Sequence, residues 1–277
     1  TLMNALLGQR LSIVSPKPQT TRHRLVGIQT EGDRQIVWVD TPGLHAGKNA
    51  LNKAMNRTAA ASLTGVDLIL FVVEADRWGQ KDEAALKRIK AADVPVALVI
   101  NKVDKLAQRE KLLAEIETHG ARHDYAFIVP LSALKKDNLD GLLQEVLQRL
   151  PRGNFLYDED NLTDRGAGFL TAEAVREQLM LRLGQELPYQ LTVETEKVTQ
   201  HDNGLEVHAV IWVARDSQKA IVIGSKGSNL KTVGTQARKA MSELMGQPVH
   251  LHLWVKVKKS WMDSERALRS LGYENGL

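Results

Sequence analysis

Residues 96–104 read VALVINKVD, and this stretch decides the fold class. Val96–Ile100 is an uninterrupted apolar run, and the polar segment Asn101–Asp104 follows it at once. Apolar residues on consecutive positions are typical of a parallel strand that is buried on both faces. Because ligands of an open α/β sheet bind outside the carboxyl ends of its strands, Asn101–Asp104 is predicted to be a ligand-binding loop.

Four further strand-like runs lie on either side of this one in the sequence: Leu25–Ile28, Ile36–Val39, Leu68–Val73 and Phe127–Leu131. Helical patterns alternate with them, most clearly from Leu139 to Leu150, where apolar residues recur at intervals of three and four. Such alternation indicates an α/β domain with a mostly parallel, doubly wound sheet and helices on both faces. We expect the strands to be parallel.

The NKVD segment is the most specific of the polar segments. An ionised Asp104 can accept two hydrogen bonds from guanine, at the ring N–H and the exocyclic amine, whereas adenine would leave this carboxylate unpaired at a cost of ~1–3 kcal/mol. Asn101 can bond the base edge and tie neighbouring loops, and the aliphatic stem of Lys102 can lie along the base. Ser132–Ala133 ends the fifth run, and the Ala133 N–H can reach the guanine carbonyl oxygen.

A second strand end carries DTPG, Asp40–Gly43. Asp40 can hold Mg²⁺ through a water, and the Gly43 N–H can approach a γ-phosphate because no side chain stands in the way. Thr21, about twenty residues upstream, is a candidate Mg²⁺ ligand in a mobile loop. The alternative interpretation of Thr21 is a residue in a solvated turn.

A change of pattern after Pro151 predicts a domain boundary. Residues 151–162 mix turn formers with acids and are interpreted as a linker, between a nucleotide-binding domain at 1–150 and a small α+β domain at 163–277. The second domain is predicted to run helix, strand, strand, short helix, glycine-punctuated turn, helix, strand and a short C-terminal helix.

Composition excludes several classes of function. The 277 residues contain no cysteine, which excludes a disulfide framework, a cysteine zinc site, an iron–sulfur cluster and a thiol nucleophile. The longest apolar run, Val94–Ile100, is far shorter than the ~20 residues that span a bilayer. The net charge is only +4, but residues 215–259 hold nine basic residues against two acidic ones, a local net charge of +7.

The centre of this basic region is VIGSKGSNLKTV, which places a Gly-x-x-Gly turn at 224–227 before a helix. Such a turn lets a nucleic-acid backbone come close, and KH domains clamp about four nucleotides in this way. A bare Gly-x-x-Gly is also common at helix entries. The predicted RNA-binding residues are Ile223, Gly224, Ser225, Lys226, Gly227, Lys231 and Arg238. We expect Trp254 and Trp261 to be packing residues, and His250 and His252 not to bind a metal because no third ligand is near in the sequence.

Five segments together carry a family resemblance: SPKPQTTRHRLVGI at 15–28, DTPGLH at 40–45, NKVDK at 101–105, LGQELPYQLTVE at 183–194 and SWMDSERALRSLGY at 260–273. The sequence resembles the translation-factor-related GTPases, and most closely the Era family of bacterial ribosome-assembly GTPases. The resemblance covers essentially the whole chain. It implies a P-loop GTPase domain followed by a type II KH domain.

The resemblance also implies ligands and partners. The cofactors are GTP or GDP, Mg²⁺ held by Thr21 and Asp40, and K⁺ as a monovalent ion. The implied nucleotide contacts are Asp40, Thr41, Pro42, Gly43, Leu44, Asn101, Lys102, Val103, Asp104, Ser132 and Ala133. The implied partners are the 3′ end of the small-subunit (16S) ribosomal RNA and the 30S subunit, during 16S rRNA processing and subunit assembly. The family's proteins are expected to be monomeric and cytoplasmic, with peripheral contact with the inner membrane.

Two features depart from the pattern of active GTPases. The phosphate-binding loop, GxxxxGK[ST], is absent, and TLMNALLG at Thr1 matches the residues that follow that loop in the family. The sequence is therefore expected to be N-terminally incomplete, to have a gap in its sheet where the first strand belongs, and to be inactive as it stands. Leu44 occupies the place where many GTPases have a water-orienting Gln, so intrinsic hydrolysis is expected to be slow and no general base is assigned.

Two other functions remain open at this stage. One is an RNA-binding adaptor whose nucleotide domain does not hydrolyse GTP. The other is a related GTPase that modifies or chaperones tRNA, which the Gly-x-x-Gly turn and the C-terminal SWMDSERALRSLGY segment argue against.

Overall fold

The computed structural model describes residues 1–43, 49–106, 108, 110–184 and 186–273. Strands and helices alternate through the first half of the chain, as the sequence predicts. Its elements are α1 (Leu2–Leu7), β1 (Leu25–Glu31), β2 (Arg34–Asp40), α2 (Ala50–Ala61), β3 (Ile69–Glu74), α3 (Gln80–Ile89), β4 (Val96–Asn101), α4 (Glu110–Gly120), β5 (Phe127–Pro130) and α5 (Leu139–Leu147).

Strand β4 lies at the centre of a three-stranded parallel sheet with the order β3-β4-β5. Its residues Ala97–Ile100 are fully buried. Leu98 and Ile100 pack in the same cluster as Leu86 of α3, whereas Val99 points to the other face and packs in the cluster that contains Leu142 of α5. Helices therefore cover both faces, and the prediction from the unbroken apolar run is confirmed for this sheet.

The prediction of parallel strands is wrong for β1 and β2. These two strands pair antiparallel in a sheet of their own, from Leu25 opposite Asp40 to Glu31 opposite Arg34. The reason is the connection: the two residues Gly32–Asp33 can close only a hairpin, because a parallel pair needs a crossover of a dozen or more residues. Within the described residues no ladder joins this sheet to β3-β4-β5, in agreement with the predicted gap.

The second half of the chain has the element order that its sequence pattern predicts. Its elements are α6 (Ala167–Arg182), β6 (Leu191–His201), β7 (Gly204–Val213), α7 (Asp216–Ile223), α8 (Ser228–Met245), β8 (Val249–Val257) and α9 (Glu265–Ser270). The sheet has the order β6-β7-β8, with β6-β7 antiparallel and β7-β8 parallel. Val175 of α6, Ile211 of β7 and Val233 of α8 are fully buried in one core between the helices and the sheet.

The two halves are in direct contact. Residues between α5 and α6 run along the first hairpin, where the Ile28 N–H donates to the Leu162 carbonyl (2.8 Å) and the Thr163 hydroxyl donates to the Val26 carbonyl (2.6 Å). Trp261 and Leu268, beside and within α9, are fully buried in a cluster that includes Leu51 of α2. The predicted linker is thus partly anchored, and the C-terminal segment packs on the first half. None of the described helices is long and apolar enough to cross a membrane.

Candidate functional site

The segment after β2 places Asp40 beside Thr21. The Thr21 Oγ1 donates to Asp40 Oδ2 at 3.2 Å, and burial raises the pKa of Asp40 above its ordinary value. Thr41, Pro42 and Gly43 continue directly from the end of this strand, and Leu44 lies outside the described residues. The structure therefore brings together the two predicted Mg²⁺ ligands, and their hard oxygen donors suit this ion.

The loops after β4 and β5 are joined by Asn101. Its Oδ1 accepts from the backbone N–H of Lys102 (2.7 Å) and from that of Ala133 (3.0 Å). Asn101 therefore ties neighbouring loops, as predicted. In this structure the Ala133 N–H, which was predicted to reach a guanine oxygen, is held by Asn101.

A second bond joins the same loops at Asp104. The fully buried Ser132 donates its hydroxyl to Asp104 Oδ1 at 2.5 Å, and Val103 donates its N–H to the Leu131 carbonyl at 3.3 Å. This contact leaves the other carboxylate oxygen of Asp104 available, and Asp104 is exposed. The arrangement fixes the direction of the carboxylate before any base is bound.

Glu74, at the end of β3, is a site residue that the sequence analysis did not identify. It accepts from the Nζ of Lys102 (2.7 Å) and from that of Lys105 (3.0 Å), and these lysines hold the pKa of the Glu74 carboxyl below its usual range. Lys102 itself has a left-handed backbone with φ +64°. Glu74 therefore orients the lysine stem that is predicted to lie along the base. No sequence pattern signals this contact, which follows from the register that places Glu74 opposite Asn101.

The loop that carries Thr21 is anchored on α6, and its predicted mobility stays a prediction. Lys17 Nζ donates to the carbonyls of Met180 and Leu183 near the end of this helix. Arg176 Nη2 donates to the Thr20 carbonyl at 2.6 Å. These contacts span about 160 residues of sequence, so no local pattern could have indicated them.

Arg22 and His23 continue the same anchor. Arg22 is 1% exposed and its guanidinium donates to three carbonyls around the start of β6, those of Pro188 (3.0 Å), Tyr189 (3.2 Å) and Leu191 (2.7 Å). The His23 ring stacks on Tyr273 at 4.4 Å, and burial lowers its pKa to about 4, so it is neutral at pH 7. The candidate Mg²⁺ ligand Thr21 therefore adjoins a buried contact between the two halves.

The Gly-x-x-Gly turn lies between α7 and α8. Gly224 has φ +75°, and a Cβ there would lie 2.8 Å from the Cβ of Asn229, so only glycine fits. Gly227 has φ +77° and caps the start of α8, whose free N–H groups favour anions. Ser225 and Lys226 are exposed between the two glycines. The turn therefore places one exposed lysine next to the start of α8.

The other predicted RNA contacts are near this turn in sequence and differ in exposure. Lys231 and Arg238 are exposed and stand seven residues apart on α8, which places them on the same face of the helix. Ile223, directly before the turn, packs against the core of the second half and so fixes the turn to that core. The structure thus presents the basic residues at the surface and leaves the apolar one partly buried.

The two tryptophans, which were expected to be packing residues, differ in burial. Trp261 is fully buried and donates its indole N–H to the Gln190 carbonyl at 3.1 Å. Trp254 is 44% exposed on the outer face of the β6-β7-β8 sheet, where its ring stacks on His208 at 5.4 Å. The alternation of β8 places Trp254 outward, together with His250 and His252.

Two protein families match separate parts of the chain. The family described as 50S ribosome-binding GTPase matches residues 1–102, and the KH domain family matches residues 186–262. Both matches lie inside the predicted domains, whose outer boundaries stay predictions.

Two relatives match over nearly the full chain. A GTPase Era of Pseudomonas aeruginosa is 50% identical over 274 residues, which cover 99% of this chain and 90% of that protein. A GTPase Era of Azotobacter vinelandii is 49% identical over 276 residues, covering 99% of this chain and 92% of that protein.

Solved structures agree with this fold. A crystal structure of Era in complex with MgGDPNP and nucleotides 1506–1542 of 16S ribosomal RNA superimposes with a TM-score of 0.93 at 38% identity, covering 98% of this chain and 93% of that one. A variant of Aquifex aeolicus Era bound to GDP and AlF4⁻ gives a TM-score of 0.94 at 38% identity, with the same coverage.

Proposed function

The chain belongs to the Era family of GTPases, and from this premise we propose that it is a GTP-dependent switch that binds the 3′ end of 16S ribosomal RNA. Guanine recognition is assigned to Asn101–Asp104 with Ser132–Ala133, and RNA binding to residues 223–227 with Lys231 and Arg238. The role that follows is in 16S rRNA processing and assembly of the 30S subunit.

The observation that carries this proposal is the anchoring of the Thr21 loop on α6. Lys17, Arg22 and Arg176 form hydrogen bonds that connect residues 17–22 of the first half to residues 176–191 of the second. A ligand that moves Thr21 must therefore act on the segment that leads into β6. This contact gives a physical route by which the nucleotide state changes RNA binding.

The residues near Asp40 suit the phosphate end of the nucleotide. When bound, Mg²⁺ would neutralise charge on the β- and γ-phosphates, held by Thr21 and, through water, by Asp40. Gly43 offers a backbone N–H that no side chain shields. Residues Asp40–Leu44 are therefore assigned to sensing the γ-phosphate.

At the other end of the site, the loops after β4 and β5 are assigned to binding the guanine base. Ser132 orients Asp104 toward the two guanine donors, and Glu74 holds Lys102 so that its stem can cover the base plane. The apolar Leu44 cannot orient a water, so we assign no general base and expect slow intrinsic hydrolysis.

Residues 1–277 contain no GxxxxGK[ST] motif. We propose that these residues alone bind GTP weakly and have little GTPase activity, because that loop supplies most of the grip on the phosphates. The nucleotide experiments below therefore use a chain in which this loop precedes Thr1.

The family resemblance supports several finer assignments. We propose the 30S subunit as the larger partner, K⁺ as an additional ion near the nucleotide, and a monomeric protein with peripheral contact with the inner membrane. The domain boundaries at 150, 162 and 163 are part of the same proposal.

The switch predicts that RNA affinity depends on the nucleotide. Titration of an RNA with the sequence 1506–1542 of 16S rRNA, in the presence of GDP or of a non-hydrolysable GTP analogue, is expected to give Kd values that differ by about 5- to 150-fold, the usual range of coupling between two sites. Equal Kd values would favour the RNA-binding adaptor instead.

The anchor of the Thr21 loop is expected to carry this coupling. Lys17→Met removes the ammonium group that caps α6 but keeps an apolar stem, so the ratio between the two Kd values should fall at least about twofold. The Kd of the nucleotide alone and the Kd of the RNA alone should not change. Lys111→Met, on the exposed side of α4, is the matched control and should leave the ratio unchanged. An unchanged ratio in Lys17→Met would show that this contact does not couple the nucleotide state to RNA binding.

A further inference from the structure

The outer face of the β6-β7-β8 sheet carries a cluster of histidines around one carboxylate. Glu206 and His208 lie two residues apart on β7, so their side chains leave the same face, and His252 is the register partner of His208 on β8. The ligand atoms of these three residues all lie within 4.8 Å of one another. We propose that Glu206, His208 and His252 form a binding site for a divalent transition-metal ion, with Zn²⁺ as the best-fitting ion.

The distances within the cluster suit this ion. Glu206 Oε1 lies 3.3 Å from the Nε2 of His208 and 3.2 Å from the Nε2 of His252. In a tetrahedral zinc site with bonds of about 2.0–2.2 Å, neighbouring ligand atoms are about 3.3–3.5 Å apart. Two ligand pairs therefore already have the spacing of coordination edges, and the third pair lies within 4.8 Å.

A further imidazole borders the cluster without belonging to it. His201, at the end of β6, approaches the other carboxylate oxygen, with 3.1 Å between its Nε2 and Glu206 Oε2. Two imidazoles with one carboxylate are a donor set that zinc uses, and a water would complete the coordination. The three proposed ligands come from two neighbouring strands, so the ion would join β7 and β8 on the face that the helices do not cover.

Ring packing restrains two of the ligands. The His208 and His252 rings lie 4.7 Å apart, and the ring of Trp254 stacks on His208 at 5.4 Å and on His252 at 6.2 Å. A half-exposed indole beside two imidazoles limits their rotation, which lowers the entropy lost on metal binding. This packing also gives Trp254 a role that its exposure otherwise leaves unexplained.

The charged groups around the cluster limit how tightly a cation can bind. Glu206 is the one carboxylate among the three proposed ligands. Lys197 is the register partner of His208 on β6, and Arg238 borders the same surface depression as His201, His252 and Glu206. These two cations oppose a bound metal, so we expect an affinity in the micromolar range rather than that of a closed structural site.

His250 and His252 alone do not predict a metal site, because no third ligand is near them in the sequence. The third ligand comes from β7, about 45 residues earlier in the chain, and the parallel pairing of β7 with β8 brings it into place. His250 is not among the three mutually close ligands, although it lies on the same strand and the same face as His252. It therefore offers a matched control.

The test is calorimetric titration of the metal-free 1–277 chain with ZnCl2 at about pH 7.5, where unperturbed imidazoles are neutral. We expect one equivalent of Zn²⁺ per chain with a micromolar Kd. His208→Ala, His252→Ala and Glu206→Gln should each weaken binding at least about tenfold, and His250→Ala should not. All four positions are at least partly exposed, so folding should persist, and circular dichroism confirms it.

Cobalt provides an independent readout, because the visible spectrum of Co²⁺ depends on its ligands and geometry. Co²⁺ should give the bands of a nitrogen- and oxygen-ligated site, and His252→Ala should remove them. Three results would overturn the assignment: no stoichiometric Zn²⁺ binding, binding that survives both His208→Ala and His252→Ala, or equal loss in His250→Ala. None depends on GTP or RNA, so the outcome is independent of the proposed switch.

Discussion

Replacing Ser225 and Lys226 together by aspartate is expected to lower the affinity for single-stranded RNA by at least about 100-fold at ~0.15 M salt. The two positions are exposed between Gly224 and Gly227, where the nucleic-acid backbone is expected to come closest. The change removes one cation and adds two anions next to the phosphates. Lys226 has a left-handed backbone, φ +50°, which aspartate tolerates, and both glycines stay in place.

This double variant tests the RNA contact more directly than replacement of Gly224 or Gly227 by aspartate would. A side chain at Gly224 would meet Asn229, so a loss of RNA binding there could follow from a distorted turn. The matched control is Gln80→Asp with Lys81→Asp, which makes the same change in charge on the exposed first turn of α3. RNA binding, measured by fluorescence anisotropy over a range of salt, should be retained in the control. Retained affinity with the same salt slope in the Ser225/Lys226 variant would place the RNA site elsewhere.

Asp104→Asn, in a chain that carries the P-loop, is expected to weaken GTP binding by about 10²- to 10⁴-fold. Two charge-assisted hydrogen bonds to guanine are lost, each contributing ~1.5–3 kcal/mol. Xanthosine triphosphate should gain affinity, because xanthine replaces the amine of guanine by a carbonyl that the asparagine amide can donate to. Titration with fluorescent GTP and XTP analogues measures both changes.

Asp137→Asn is the control for this variant. Asp137 lies on the neighbouring loop and is exposed, and it contacts Ser132 through its backbone only. The control removes one negative charge from the same region without touching the proposed base reader. Unchanged GTP affinity in Asp104→Asn, or the same loss in Asp137→Asn, would contradict the assignment of Asp104.

Sequence patterns predicted the strands and helices that depend on neighbouring residues in the chain. The unbroken run Val96–Ile100 indicated a strand buried on both faces, and periodicity after 163 gave the full order of elements in the second half. The pairing of β1 with β2 was missed because apolar runs report burial and not strand direction. The two-residue turn Gly32–Asp33 was the available signal for a hairpin.

The residues of the candidate sites could also be predicted only in part. Asn101, Asp104 and Ser132 follow strands that are neighbours in one sheet, so their meeting could be predicted from strand order. Glu74 and the three carbonyls that receive Arg22 could not, since their positions depend on register and on packing between segments about 30 to 170 residues apart in sequence. Glu206 was missed as a metal ligand for the same reason.

The anchoring of residues 17–23 on the second half limits how the two halves can be exchanged between proteins. Arg22 and Arg176 are 1% exposed, and beside Arg176 the pKa of the Glu173 carboxyl stays below its ordinary value in spite of burial. A foreign second half whose backbone does not place carbonyls where those of residues 188, 189 and 191 lie would leave the Arg22 guanidinium buried and unpaired, at a cost of several kcal/mol. A chimera of this protein would therefore have to carry over the Thr21 loop together with the RNA-binding domain, although the linker separates them in sequence.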